Sequence, residues 1–424
     1  MQLRESFAFG SIKAMMRVLT MIGDPLGELE TTSDYLEYSK KLRSKPVVKS
    51  KTGILFSSDF QICSEVLKSN QWRTVPETDS GVSGLLFGSV AQSDAIDPFL
   101  DSLLGKDGDE HVRLRKLIQP AFTHRVMQTW KEMAEKVADK LIHEIQTAEG
   151  PVEIVSKFAN PLPIAMICEI LGVPESDREK FIEWGNVLGQ LGLDGPRNPE
   201  EKKLLEDSSA EITNYIAELL EARRVTPGED LLSVLASAEH DGSTLTNREI
   251  VATGAFLLVA GFETTVNLLS VGTAALIEHR SELEKVAKNH SLIPNMIEET
   301  LRFASPVQFT LRSAADDVVL SDGTKVKKGQ SIILMIVGAN HDPAVFTSPE
   351  LFDIERENAR RNLAFGFGAH HCIGAALARL EAEVAWRKLL EAFPDVSKWN
   401  LAAEPVLRGG RTIRGYKSVK INLR

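Results

Sequence analysis

The chain has 424 residues, 43% of them hydrophobic and 25% charged, with a formal net charge of −10. That composition is that of a globular protein with a large core, and the acidic balance argues against nucleic acid as a partner. Three cysteines in such a length offer no disulfide framework, which points to a reducing, cytoplasmic setting.

Two or three domains are the usual expectation at this length. No Pro/Gly/Ser-rich linker, low-complexity tract or repeat divides the chain, however, so a single large domain is expected, mainly α with small β-sheets. The stretch from Met1 to Ile22 carries Arg4, Glu5, Lys13 and Arg17, so neither a membrane anchor nor a signal peptide is expected there. Pro46-Val47-Val48 and Ile54-Leu55-Phe56, turned by Lys51-Thr52-Gly53, predict a hairpin. From Asp59 to about Ser305 helical patterning dominates. It is punctuated at Gly81-Val82-Ser83-Gly84, Gly150-Pro151, Gly172-Val173-Pro174 and Asp194-Gly195-Pro196.

Thr246-Asn247-Arg248-Glu249 has the form of a capping box and opens a long helix. From Ile250 to Ile277 its only charged residue is Glu263. Such a run is long enough to span a bilayer, but Thr253, Thr264, Thr265, Asn267, Ser270 and Thr273 favour a helix buried in a soluble core. Beyond it, Val318-Val319-Leu320 and Lys325-Val326 flank an Asp322-Gly323 turn. The apolar run from Ser331 to Val337 and the alternation of Val419, Ile421 and Leu423 predict further strands.

Cys372 is the residue most loaded with chemistry. It follows Phe365-Gly366-Phe367-Gly368-Ala369-His370-His371 and precedes Ile373-Gly374 and a helix. A helix N-terminus favours a thiolate, Gly368 and Gly374 let the backbone approach a flat ligand, and His370 can donate to an anionic rim. Cys63 and Cys168, in apolar contexts, read as packing residues. Glu263 in Ala260-Gly261-Phe262-Glu263-Thr264-Thr265 is costly to bury unpaired. Taken alone it fits either a partnered core residue, with Gly261 easing helix packing, or a functional acid beside a ligand. Glu299 and Arg302, three apart, form either a surface pair or part of a buried network. His111 and Arg115 lie four apart on one helical face. As isolated residues, His124, His143, His240, His279 and His290 read as solvated.

The string from Phe365 to Gly374 fills every position of Phe-x-x-Gly-x-(Arg/His)-x-Cys-x-Gly and resembles the haem-binding loop of the cytochrome P-450 family. Ala260 to Thr264 looks like that family's Ala-Gly-x-(Asp/Glu)-Thr motif, and Glu299-x-x-Arg302 with Arg356 like its Glu-x-x-Arg signature. The resemblance spans roughly Lys45 to the C-terminus, giving a haem domain at 45–424 after an N-terminal segment at 1–44. It implies the P-450 fold, haem b and Cys372 as the thiolate ligand to iron. Ala260, Gly261, Phe365, Gly368 and Gly374 would lie against the haem, and His111, Arg115, Arg312 and His370 would serve its propionates. Thr264 would assist oxygen activation and Glu263, through water, would relay protons. Glu299, Arg302 and Arg356 would serve folding and haem retention.

The activity so implied is that of a monomeric monooxygenase inserting one atom of O₂ into an apolar or amphiphilic small molecule. No Rossmann fingerprint appears, so electrons would come from a ferredoxin-type donor with its reductase. Lys116, Arg125, Lys131 and Arg379 are candidates for that donor's docking patch. Substrate would meet Leu85-Leu86-Phe87, Val187 to Leu191, Phe256, Val259, Val307, Phe309 and Ile413. Gly81, Gly84, Gly88, Gly189, Gly192 and Gly195 suggest a mobile lid. A peroxygenase, a nitric-oxide-reducing enzyme or a haem sensor would not be expected to carry the Glu263–Thr264 pair.

Overall fold

The computed structural model describes residues 2–74 and 95–424. Leu85-Leu86-Phe87 and Gly81, Gly84 and Gly88 therefore lie outside the described residues. The body is helical, and its helices begin and end where local chemistry allows. Asn198 caps Pro199–Val225 by accepting from the Glu201 N–H, Pro161 opens Pro161–Leu171, and Gly172 ends that helix at φ 75°.

Asn247–Glu278 is the central helix. Thr246 and Glu249 form the reciprocal capping box that starts it. Among the described residues it is the one helix long and apolar enough to cross a membrane, yet 72% of its most apolar window is buried against protein. It crosses the helix Ala375–Ala392 at Gly272, where a Cβ would lie 2.4 Å from the Trp386 ring. Trp386 Nε1 donates to the Thr273 hydroxyl at 3.2 Å. One large apolar core surrounds this helix.

At one margin lies a five-stranded sheet in the order Val48–Lys49, Leu55–Ser57, Ser331–Leu334, Thr310–Ala314, Trp72–Arg73. Only the pairing of Leu55–Ser57 with Ser331–Leu334 is parallel. Leu19, Leu26, Leu29, Tyr35, Tyr38 and Leu42 of the N-terminal segment pack on this sheet with Phe56, Ile333 and Met335. The hairpins at 48–57 and 318–326 form as their turn residues suggest. The apolar run 331–337 does not remain a strand. It stops at Leu334, and Ile336–Ala339 forms a helical turn. A continuous apolar run cannot distinguish buried strand from buried helix. Here the turn brings Gly338 against Ser39, where a Cβ would lie 2.5 Å from the serine Cβ.

Candidate active site

The Cys372 loop is folded by its glycines. Gly366 and Gly368 take positive φ values of 66° and 70°, and the Cys372 N–H donates to the Phe365 carbonyl at 2.9 Å. Gly368 is pressed onto the helix Phe60–Lys68: a Cβ there would lie 2.5 Å from the Leu67 carbonyl oxygen. This contact, together with the positive φ, by itself demands glycine at 368. At Gly374 the nearest contact of a Cβ would be Cys372 Sγ at 3.9 Å, so the protein itself makes no such demand there.

Cys372 is accessible, yet burial pushes its thiol above the ordinary range, opposed by the Gly374 N–H, Arg115 and Arg379. The sequence-based expectation of a thiolate favoured by the helix terminus thus meets a larger desolvation that favours the thiol. The sulfur is thus accessible yet closely surrounded by protein.

Basic residues gather beside it. Arg115 Nη1 donates to the carbonyls of Ala369 (3.0 Å) and His371 (2.8 Å). The His111 ring lies 4.0 Å from that of His370. His111 is buried, its Nε2 has no partner, and burial pushes its pKa down to about 4. Arg312 bonds the Thr310 hydroxyl and the Leu311 carbonyl, and burial lowers its pKa to about 10. His370 Nε2 is 2.9 Å from Asp107 Oδ1. Asp107 was missed in the sequence, where nothing distinguishes it from any helix-capping aspartate.

Along the buried central helix, Phe256, Ala260, Gly261, Thr264 and Val271 keep partial accessibility. Phe256, Ala260 and Thr264 recur every four residues and so share a face. The Thr264 hydroxyl donates to the Ala260 carbonyl at 2.6 Å. A Cβ on Gly261 would meet only Ile167, at 3.7 Å, an ordinary contact, so helix packing does not require a glycine there.

Glu263 points elsewhere. Its Oε1 accepts from Arg408 Nη1 at 3.1 Å, while Oε2 is buried without a partner. Burial raises this carboxyl to about 7, against the lowering influence of Arg408. Gly189 makes the space: a Cβ there would sit 1.7 Å from Glu263 Oε2. Likewise a Cβ on Gly192 would collide with the Phe99 ring at 2.4 Å. Close packing alone thus demands glycine at both positions.

Arg408 comes from the C-terminal hairpin of Val406–Leu407 and Tyr416–Ser418. It also donates to Asn186 Oδ1 at 2.8 Å. Asp194 anchors the hairpin by accepting from the Arg411 and Thr412 N–H groups at 2.7 and 2.8 Å. Ile413 bridges to Val307. Phe309 does not join this region, because it packs on Tyr35 in the N-terminal core, ring centroids 6.0 Å apart. Phe99 does, meeting Phe256 edge to face at 6.2 Å.

Glu299, Arg302 and Arg356 are buried together. Arg302 holds Glu299 through two bonds of 2.7 and 2.8 Å. Arg356 Nε bonds both Glu299 oxygens at 3.1 Å, and the Asp353 N–H adds another at 3.0 Å. Arg379, an expected docking residue, is instead engaged by the buried Glu298 at 2.6 Å and lies over the Phe365 ring. His279, expected to be solvated, is half-buried and packs on Phe303 and Phe352, and the buried His341 packs on Phe303 as well.

Comparison with known proteins decides the family. The Cytochrome P450 family model matches residues 100–397. The chain belongs to the cytochrome P450 family. It is 38% identical over 78% of its length to the polyketide biosynthesis cytochrome P450 PksS of Bacillus subtilis, covering 80% of that protein. Over 77% of its length it is 36% identical to 6-deoxyerythronolide B hydroxylase of Saccharopolyspora erythraea, covering 78% of it. The structure of P450BioI in complex with an acyl carrier protein ligated to hexadec-9Z-enoic acid superposes with a TM-score of 0.82. There the identity is 29%, over 94% of this chain and 100% of that one.

The protein is thus a cytochrome P450 monooxygenase, an oxidoreductase with haem b as its cofactor. Its donor set fits that group. Haem brings four iron ligands of its own and asks the protein for an axial ligand, with cations for two propionates. Among the described residues no cluster of three His, Cys, Asp or Glu side chains could hold a bare metal ion. The residues do supply one accessible thiol, a buried His111 nitrogen without a partner and two half-buried arginines beside the same loop.

Proposed function

We propose that this P450 inserts one oxygen atom into a largely aliphatic substrate, with Cys372 as the iron ligand and Glu263 and Thr264 as the proton-handling pair. The observation that carries this reading is the division of labour on the central helix. Thr264 lies on the accessible stripe with Ala260, while Glu263 keeps one carboxyl oxygen free on the buried side.

When bound, haem supplies the iron at which O₂ is cleaved and from which one oxygen atom passes to substrate. His111, Arg115, Arg312 and His370 would hold its propionates, and Glu299, Arg302 and Arg356 would keep the neighbouring segments in place. Thr264 presents a hydroxyl oriented by the Ala260 carbonyl. Glu263 holds a proton at Oε2 and releases it near neutral pH, while Arg408 fixes Oε1. Phe99, Phe256, Val307 and Ile413 offer an apolar wall. Such a wall excludes water from the reaction. An aliphatic or polyketide-like skeleton is in keeping with the relatives named for polyketide biosynthesis and a fatty-acyl ligand.

A dithionite-reduced, carbon-monoxide difference spectrum tests the ligand. A far-red-shifted Soret band that Cys372→Ser abolishes supports it, and a band typical of histidine ligation overturns it. Spin-state titration with fatty acids, macrolactones and steroids then tests the substrate class; a response confined to charged, polar compounds would refute it.

Electrons are proposed to come from a ferredoxin-type donor docking near exposed Lys116, Arg125 and Lys131, in a cytoplasmic, monomeric enzyme. Arg379 is left out because Glu298 engages it. Lys116→Glu with Arg125→Glu should raise the donor's apparent dissociation constant at low salt, and an unchanged constant would exclude this face.

A further inference from the structure

Asp107 occupies the N-cap position of the helix Gly108–Ile118 but makes no side-chain cap bond. An aspartate there ordinarily accepts a helix N–H, an interaction worth about 1 kcal/mol. Asp107 forgoes it. One of its oxygens is paired with His370 Nε2 at 2.9 Å. The other accepts from the Thr74 N–H (3.0 Å) and hydroxyl (3.2 Å).

Burial alone would raise this carboxyl, but the bonds from His370 and Thr74 outweigh it and hold it below its ordinary value. A carboxylate only accepts, so the bonded Nε2 carries the hydrogen. The ring is thereby fixed, and Nδ1 is the nitrogen left for another partner. Asp107 also acts on two further donors. Its charge opposes the desolvation of Arg312, and it is the acid that opposes the lowering of His111. Four separate segments meet around this one side chain: Thr74, the helix of His111, the strand of Arg312 and the loop of His370.

We infer that Asp107 is the positioning residue of the propionate cradle: it forgoes capping its own helix, orients His370 and keeps the surrounding donors in place for haem. This rests on the haem reading above and adds a residue that does not itself touch the cofactor. Removing an outer partner of a metal-ligating histidine typically costs about 10- to 100-fold in affinity, and a loss of that order is expected for a histidine that holds a cofactor's carboxylate.

The test is haem transfer from the intact holoprotein to excess apomyoglobin, read beside the haem reduction potential and the melting temperature of the apoprotein. Asp107→Ala should release haem about 10- to 100-fold faster than the unsubstituted protein. Asp107→Ser supplies a capping hydroxyl that the aspartate does not use, so its melting temperature should exceed that of Asp107→Ala without haem retention being restored. Asp107→Asn, nearly isosteric and uncharged, keeps the test open if alanine prevents folding. It should release haem faster and raise the reduction potential, because a negative charge near the cofactor is lost. Release rates indistinguishable from those of the unsubstituted protein would overturn the inference. So would full rescue of retention by serine, which would reduce Asp107 to a helix cap. If the unsubstituted protein lacked the thiolate band, the haem-site reading would fail instead, and the two failures remain distinguishable.

Discussion

Two buried glutamates, Glu263 and Glu299, differ in how fully the protein bonds their carboxyls. Glu299 is 0% exposed and every lone-pair direction is answered, by Arg302, Arg356 and the Asp353 N–H. Glu263 is 3% exposed and half answered: Arg408 takes one oxygen, and the other has no partner. A fully bonded carboxylate has nothing to exchange and serves as a structural tie. A half-bonded one, raised to about 7, can take and give a proton. Burial does not distinguish the two; the number of hydrogen bonds each carboxyl receives does.

The comparison breaks most visibly at Glu299. Glu299→Ala leaves Arg302 and Arg356 buried without their anion, and a loss of about 3–5 kcal/mol is expected. Thermal melting should show a protein that scarcely folds at growth temperature. Glu263→Gln should leave folding intact and slow turnover about 10²- to 10⁴-fold. Uncoupled peroxide release, measured against product, should rise as oxygen is activated without proton delivery.

The pH dependence has a defined sign. The folded carboxyl of Glu263, at about 7, lies above its ordinary 4.5. Its contribution to stability is thus complete below pH 4.5 and withdrawn as pH rises through 7. Urea titrations across that window should show a decline that Glu263→Gln flattens. Product formation that depends on the protonated carboxyl should fall over the upper part of the same window.

Gly189→Ala thrusts a methyl group at Glu263 Oε2, and a loss of about 1–3 kcal/mol is expected, together with an altered pH edge. The mildest change is Arg408→Met. It removes the cation that lowers the Glu263 carboxyl, so the edge of the pH–rate profile should move upward with little change in fold. An unmoved edge would dissociate Arg408 from the titration.

What was legible in the sequence was local. The Thr246 capping box, the turn glycines and the whole Cys372 loop are written in contiguous residues, where backbone sterics and helix-end chemistry act over a few positions. Illegible were the partners brought in from afar. Arg408 lies 145 residues from Glu263, and Asp107 lies 263 from His370. No periodicity links such pairs. Some residues were seen without their neighbours: Gly368 abuts a helix, Phe309 faces the N-terminal core, and Arg379 is engaged by Glu298. Each of these depends on which surface a neighbour covers, and that is a property of the fold alone.

The span between Asp107 and His370 also bears on when this site can come into being. Loop-closure entropy grows only slowly with length, so joining segments 263 residues apart costs little more than joining closer ones. The order of events is constrained all the same, because the chain is made from its N-terminus. His111, Arg115 and Arg312 are synthesised well before Cys372, and Arg408 comes later still. On the haem reading proposed above, a nascent chain that has not reached Cys372 lacks the proposed iron ligand as well as the His370 donor, so the complete donor set exists only once most of the polypeptide has been made.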